Sequence, residues 1–207
     1  ERKLSYYYNW TSLSNEDFYK TIREFADNGC RRFVITQGLL KEMIQSEEKI
    51  KFLRRLCADM EVEFTSVHAP FGTGYDLNYP HLEKRPAMFA LHKRAMEIAA
   101  SFGCRTYAIH VGAGEYCYDH VPLEVLRPLA IDGVEQLLAT AEKENIIIAV
   151  ENSQEPSNTA AEVMKILAPF NNHPYVGVCY DTGHAHMLAS APGKTREQFQ
   201  AYMATCW

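Results

Sequence analysis

Four apolar runs in this sequence end in side chains that can bind a cation or carry a proton. Phe64-Thr65-Ser66-Val67 leads into His68-Ala69-Pro70, and Tyr107-Ala108-Ile109 into His110-Val111-Gly112. Ile147-Ile148-Ala149-Val150 leads into Glu151-Asn152, and Val178-Cys179-Tyr180 into Asp181-Thr182-Gly183-His184. Glu151 follows an uninterrupted apolar stretch from Ile146, so its carboxylate is expected to be nearly buried. An unpaired buried charge costs several kcal/mol, and Glu151 therefore needs a cation or a proton. Asp181 meets the same demand, with an Asx turn or helix cap at Thr182-Gly183 as the alternative. Read singly, His68 and His110 are more often hydrogen-bonded core residues than ligands. Carboxylate and imidazole donors without a thiolate suit one hard or borderline divalent ion (Mn2+, Mg2+, Co2+ or Zn2+), with Glu151 and Asp181 as its metal ligands. His184 and His186 stand two residues apart; Gly183 predicts a turn, so one of them faces the site, and His184 is favoured.

Groups so far apart in sequence need a scaffold that gathers them. Strands are predicted at Lys3 to Tyr8, Arg32 to Thr36, Glu63 to Val67, Thr106 to Val111, Ile146 to Val150 and Tyr175 to Tyr180. Between them run segments of helical period. Over Asn15 to Asp27, Phe18, Ile22 and Phe25 share one face, with Ser14 or Asn15 as cap and Gly29 as stop. A second helix covers Glu47 to Met60, aligning Ile50, Leu53 and Cys57, and a third covers Lys84 to Phe102. The fourth runs from Pro128 to Glu144, opening on a proline whose missing N–H costs nothing there. The fifth covers Thr159 to Phe170, and a sixth begins near Thr195.

Repeated βα units call for parallel strands joined by right-handed crossovers, either in an open doubly wound sheet or in a (β/α)8 barrel. Gly72-Thr73-Gly74 and Gly112-Ala113-Gly114 both lack the third glycine of a dinucleotide loop, and Gly193-Lys194-Thr195 lacks the earlier glycine of a phosphate loop. Both architectures remain open on this pattern. In a parallel barrel the strands would all end on one rim, where His68, His110, Glu151, Asp181 and His184 would converge.

The 207 residues are 47% hydrophobic and 23% charged, as expected of one folded domain spanning 1–207. A net charge of −5 offers phosphate backbones or anionic membranes no overall attraction. No apolar run is long enough to span a bilayer. The start lacks both Met and a secretory core, so it reads as trimmed. Six singly spaced cysteines without a Cys-x-x-Cys pair read as reduced thiols, which implies a cytoplasmic protein.

Ser66-Val67-His68-Ala69-Pro70, Ile109-His110-Val111-Gly112, Val150-Glu151-Asn152 and Tyr180-Asp181-Thr182-Gly183-His184-Ala185-His186, in this order, resemble the sugar phosphate isomerase/epimerase family of xylose-isomerase-like TIM barrels, which is related to endonuclease IV. The resemblance covers nearly the whole chain, and Asp-Thr-Gly-His-Ala is its most specific piece. It implies a metal-dependent enzyme that moves a proton next to the carbonyl of a small sugar or sugar phosphate through an enediolate. Glu151 and Asp181 would hold the metal, Glu151 would double as acid/base, and His184 would join it as a catalytic group contacting substrate oxygens. His68 and His110 would line the substrate pocket, with Tyr8, Trp10 and Phe71 as candidates for an apolar wall.

The same family places a His after the seventh strand and a Glu after the eighth. About six βα units are legible here, so the barrel is expected to lack its last two, a whole barrel needing about 250 residues. Two alternatives follow. One is an endonuclease IV-like DNA phosphodiesterase, against which the net charge and the scatter of basic pairs count. The other is a noncatalytic sugar-binding relative. A homo-oligomer is an open alternative.

Overall fold

The computed structural model describes residues 4–112, 121–153 and 155–189. Its strands are β1 (Arg32–Ile35), β2 (Glu63–His68), β3 (Thr106–His110), β4 (Ile147–Glu151) and β5 (Val176–Cys179). Alternation decides which face each strand buries. Phe33 and Ile35 of β1, Tyr107 and Ile109 of β3, and Ile148 and Val150 of β4 are fully buried in the layer shared with the helices. The opposite face presents Val34, Ser66, His68, Thr106, Ala108, His110, Glu151 and Cys179 to a single cavity.

All strand pairs are parallel, and the spatial order is β1-β2-β3-β4-β5, the same as the order in the chain. A doubly wound sheet reverses direction at a switch point, whereas a barrel winds one way. The monotonic order makes this a barrel arc. Its register sets His110 opposite Glu151 and Glu151 opposite Cys179, which places their side chains on one rim.

The helices are α1 (Asn15–Asp27), α2 (Gln37–Gln45), α3 (Glu47–Met60), α4 (Arg85–Ser101), α5 (Leu123–Glu144), α6 (Ala160–Leu167) and α7 (Thr182–Ala189). α1 begins at Ser14, whose hydroxyl oxygen accepts from the Asp17 N–H at 3.1 Å, and it buries Phe18, Ile22 and Ala26. Trp10 is buried beside it, stacked on Phe18 at 4.7 Å and donating Nε1–H to the Val34 carbonyl at 3.0 Å.

Several expectations change. The strand expected at Lys3 to Tyr8 is reduced, among the described residues, to one parallel bridge between Tyr6 and Phe33. The apolar content of that segment reflects aromatic rings: Tyr6 and Tyr8 pack against Phe25. α2 was not anticipated; it buries Leu39, Leu40 and Met43 and is separated from α3 only by the extended Ser46, which caps Lys49. Pro128 lies inside α5 rather than at its opening. The carbonyl its missing N–H leaves free belongs to Glu124, and both residues are exposed, so water can satisfy it. The helix expected to run to Phe170 ends at Leu167 and continues as the 3-10 turn Ala168–Phe170. The helix expected near Thr195 lies outside the described residues. Among the described residues no helix is long and apolar enough to cross a membrane, and Cys30, Cys57, Cys104 and Cys179 are free thiols.

Candidate metal and catalytic site

Glu151 ends β4 with only 3% of its surface exposed, and three imidazoles close around it. His68 Nε2 lies 3.6 Å from Oε2, His110 Nε2 3.6 Å from Oε1, and His184 Nδ1 3.5 Å from Oε1. Asp181 joins through His184, whose Nδ1 is 3.8 Å from Oδ2. The five residues named from the sequence therefore meet in one place, although His68 and His184 are separated by most of the chain.

Each is aimed by its local backbone. Asp181 N-caps α7: its Oδ1 accepts the His184 backbone N–H at 2.7 Å, while its Oδ2 lies 3.8 Å from His184 Nδ1. The Asx cap and a ligand role are thus compatible, one oxygen for each. Gly183 lies within α7, where an i, i+2 pair is splayed by some 200°. His184 accordingly lines the cavity while His186 is exposed.

Asn152 was quoted in the sequence motif without a role, and the structure supplies one. Its Oδ1 accepts the Asp181 N–H at 2.8 Å and its Nδ2 donates to the Asp181 carbonyl at 3.0 Å. Its own carbonyl lies 2.9 Å from His184 Nδ1. A carbonyl only accepts, so Nδ1 carries a proton. His68 is held likewise, with Nδ1 2.9 Å from the Ala69 carbonyl. Burial pushes the His68 imidazole below its ordinary range, against smaller upward pulls from the Ala69 carbonyl and Glu151, so it is neutral at pH 7.

His110 is different. Both its ring nitrogens are buried without a hydrogen-bond partner. Its plane is fixed by Phe71, stacked at 4.7 Å and 22°, while its strand end is fixed through Gly112. The Asn158 amide accepts the Gly112 N–H at 2.9 Å and donates to the Gly112 carbonyl at 2.6 Å.

The donor geometry fits a divalent ion. His68–His110–Glu151 and Glu151–Asp181–His184 each place their donor atoms within 4.8 Å of one another. The 3.6 Å separations of the His68 and His110 Nε2 atoms from Glu151 are long for hydrogen bonds. Ligands about 2.1 Å from a tetrahedral ion stand about 3.4 Å apart. The unpartnered nitrogens of His110 are the further mark of a missing partner. Burial, then the Glu151 and Asp181 carboxylates, push the Cys179 thiol up to about 12.

The cavity beside these groups measures about 540 Å3, within the range of small-molecule sites. Its wall differs from the aromatic trio expected. Phe71 lines it, but Trp10 is core and Tyr8 packs on Trp10 at 4.7 Å. Tyr7 takes their place, edge-on to His68 at 6.2 Å, joined by Gln37 from the start of α2. Burial and the Glu151 charge raise the Tyr7 phenol above its ordinary range, so it is a neutral donor.

A parallel barrel arc whose strand ends carry His, His, Glu and Asp around one cavity defines a class. Residues 22–204 match the xylose isomerase-like TIM barrel family, and the chain belongs to it. It is 29% identical over 174 residues to uncharacterized protein y4fM of Sinorhizobium fredii, covering 72% of this chain and 54% of that one. The chain thus spans about half the length of that relative. Among solved structures, D-psicose 3-epimerase in the presence of D-fructose superposes with a TM-score of 0.70 at 19% identity, covering 90% of this chain and 66% of the epimerase. A xylose isomerase-like TIM barrel protein from Mycobacterium smegmatis, in complex with magnesium, gives 0.69 at 20% identity, covering 92% and 64%. At these identities the superpositions establish the fold.

Proposed function

We propose that this protein is a divalent-metal-dependent sugar isomerase or epimerase. The observation that carries the reading is the nearly buried Glu151 carboxylate with the His68 and His110 Nε2 atoms each 3.6 Å away and Asp181 held beside it by Asn152. The family and the epimerase and magnesium-bound neighbours support it.

Glu151 and Asp181 would hold the ion, with the Nε2 atoms of His68 and His110 close enough to add nitrogen donors. When bound, a divalent ion stabilises negative charge on a neighbouring substrate oxygen, without which a C–H next to a carbonyl is too weakly acidic for a carboxylate to deprotonate. Glu151 would take that proton on one of its two oxygens. His184, its Nδ1 bonded to the Asn152 carbonyl, would present Nε2 to a substrate hydroxyl or carbonyl. His68 and His110 would line the pocket, and Phe71 and Tyr7 would lie against the sugar carbons.

Solvent deuterium exchange tests this. The metal-loaded protein should place deuterium from D2O beside the carbonyl of its ketose, and Glu151→Gln should abolish it. Unchanged exchange in the variant rules out Glu151 as the base.

A second reading, a metal-dependent phosphodiesterase, is favoured by one feature. Two donor triads share Glu151, and His110 has nitrogens to spare. A count of bound metal separates the readings: one ion per chain supports the sugar enzyme, three the phosphodiesterase.

A further inference from the structure

β4 lies between β3 and β5 in the sheet, so the residues that follow Glu151 have a strand end on either side. Two asparagines in that stretch reach out in opposite directions. Asn152 holds the Asp181 backbone beyond β5, accepting its N–H at 2.8 Å and donating to its carbonyl at 3.0 Å. Asn158 does the same to Gly112 beyond β3: its Oδ1 accepts the Gly112 N–H at 2.9 Å and its Nδ2 donates to the Gly112 carbonyl at 2.6 Å. Each carboxamide closes on the N–H and C=O of one residue together, as the hydrogen-bonded residue of an antiparallel strand would. Each donor triad therefore has its own clamp: Asn152 for Glu151–Asp181–His184, Asn158 for His68–His110–Glu151.

The clamp on Gly112 is held from behind. Asn158 is fully buried and stands among Ser153, Glu155 and Ser157, all buried too. Its second Nδ2 hydrogen goes to Glu155 Oε2 at 2.9 Å. Its backbone N–H donates to the Glu155 carbonyl at 2.9 Å, and its carbonyl accepts the Ser153 N–H at 2.8 Å. The Ser157 hydroxyl adds a second donor to the Gly112 carbonyl at 3.1 Å. Both amide hydrogens and the amide oxygen of Asn158 are thus in use. A buried network satisfied in this way is rigid, and removing one member leaves the others unpaired.

His110 is the site residue that depends on it. His68 and His184 are each tied through Nδ1 to a backbone carbonyl, that of Ala69 and that of Asn152. Neither ring nitrogen of His110 has a hydrogen-bond partner, and the stack on Phe71 fixes the tilt of the ring without fixing its position in the plane. Where His110 Nε2 comes to lie, 3.6 Å from Glu151 Oε1, is left to the backbone at the end of β3. Gly112 is two residues further on.

Resting on the reading of this site as a divalent-metal centre, we propose that Asn158 is a positioning residue for His110. By pinning Gly112 to the stretch after β4, it sets His110 Nε2 against the Glu151 carboxylate so that both face one ion. Asn158 is not among the residues that line the cavity, and it acts only through Gly112 and His110.

Co2+ affinity of the full chain, measured by chelator competition, reads this out without reference to turnover. Asn158→Ala should weaken binding about 10–100-fold. In a His110→Ala background the same change should cost less than about twofold, because the group it positions is gone. In an Asn152→Ala background it should keep its full factor, since the two clamps share no hydrogen-bond partner. A role confined to stability would give one factor in every background. In the metal-free protein the His110 imidazole resonances should move in Asn158→Ala while those of His68 and His184 stay in place. If Asn158→Ala does not fold, Ser157→Ala, which leaves the carboxamide intact, should show a smaller loss with the same dependence on His110. An equal factor with and without His110, or unchanged affinity in whichever variant folds, would overturn the positioning role and leave the metal reading standing. A parent protein that binds no divalent ion would overturn both.

Discussion

His92 tests how the core behind the site is held. It is fully buried on α4, with Nε2 2.7 Å from the Tyr75 carbonyl and Nδ1 2.8 Å from the Tyr107 hydroxyl. The carbonyl only accepts, so Nε2 carries the proton and Nδ1 accepts from the Tyr107 O–H. The neutral ring is saturated. A second proton would put charge into the interior and force the Tyr107 hydrogen to turn away. Burial accordingly pushes the imidazole from 6.5 down to about 4, against a smaller upward pull from the Tyr75 carbonyl. Between those values the unfolded chain binds a proton that the native state refuses, so stability falls as pH drops through this window. The penalty is absent above pH 6.5 and complete below about 4, where 2.5 units at 1.36 kcal/mol each give about 3 kcal/mol. At pH 5 about 2 kcal/mol should already be lost. Urea unfolding at pH 7 and pH 5 measures this against His92→Gln, which keeps a donor and an acceptor but does not titrate. The parent should lose about 2 kcal/mol more than the variant over that interval, at unchanged m-value. Equal losses in both proteins would refute the burial argument.

Three other perturbations have defined outcomes. Asn152→Ala removes both bonds to the Asp181 backbone, and divalent-metal affinity measured by chelator competition should fall about 10–100-fold with the fold intact by circular dichroism. Gly112→Ala would set a Cβ 2.2 Å from Asn78 Oδ1 in a buried place, so denaturant unfolding should show a loss of about 1–3 kcal/mol. Saturating Mg2+ or Mn2+ should raise Tm, by about 2.7 kcal/mol of stabilisation at a hundredfold excess over Kd, and Asp181→Asn should lose most of that shift.

What the sequence made legible was whatever a short period encodes. Phe18 and Ile22 on one helical face fixed α1, and the apolar run from Ile146 to Val150 fixed β4, each to within a residue. The site residues were legible because strand direction places every strand end on one rim. What escaped depends on three-dimensional company. α2 is nine residues long, and the residues it buries, Leu39, Leu40 and Met43, span too few turns for a period to stand out. Trp10 beside a strand end looked like a pocket wall, but its ring is used against Phe18 in the core. Asn152 follows Glu151 directly, and only the turn of β5 into α7 brings the Asp181 backbone to its amide.

The position of Glu151 is itself a consequence of apolar packing. Strand side chains alternate between faces, so a slip of β4 by one residue would send Glu151 toward the helices and Ile148 and Val150 into the polar cavity. Both are 0% exposed, and burial of each contributes about 1.5–3 kcal/mol. Their preference for the helix layer therefore outweighs the cost of placing a carboxylate opposite His110 and beside His68 and His184. β3 carries the same lock through Tyr107 and Ile109, both 0% exposed, and so aims His110. The hydrophobic layer thus sets the register, and the register gathers the donors. A substitution that loosens Val150 should consequently disturb metal affinity before it unfolds the protein.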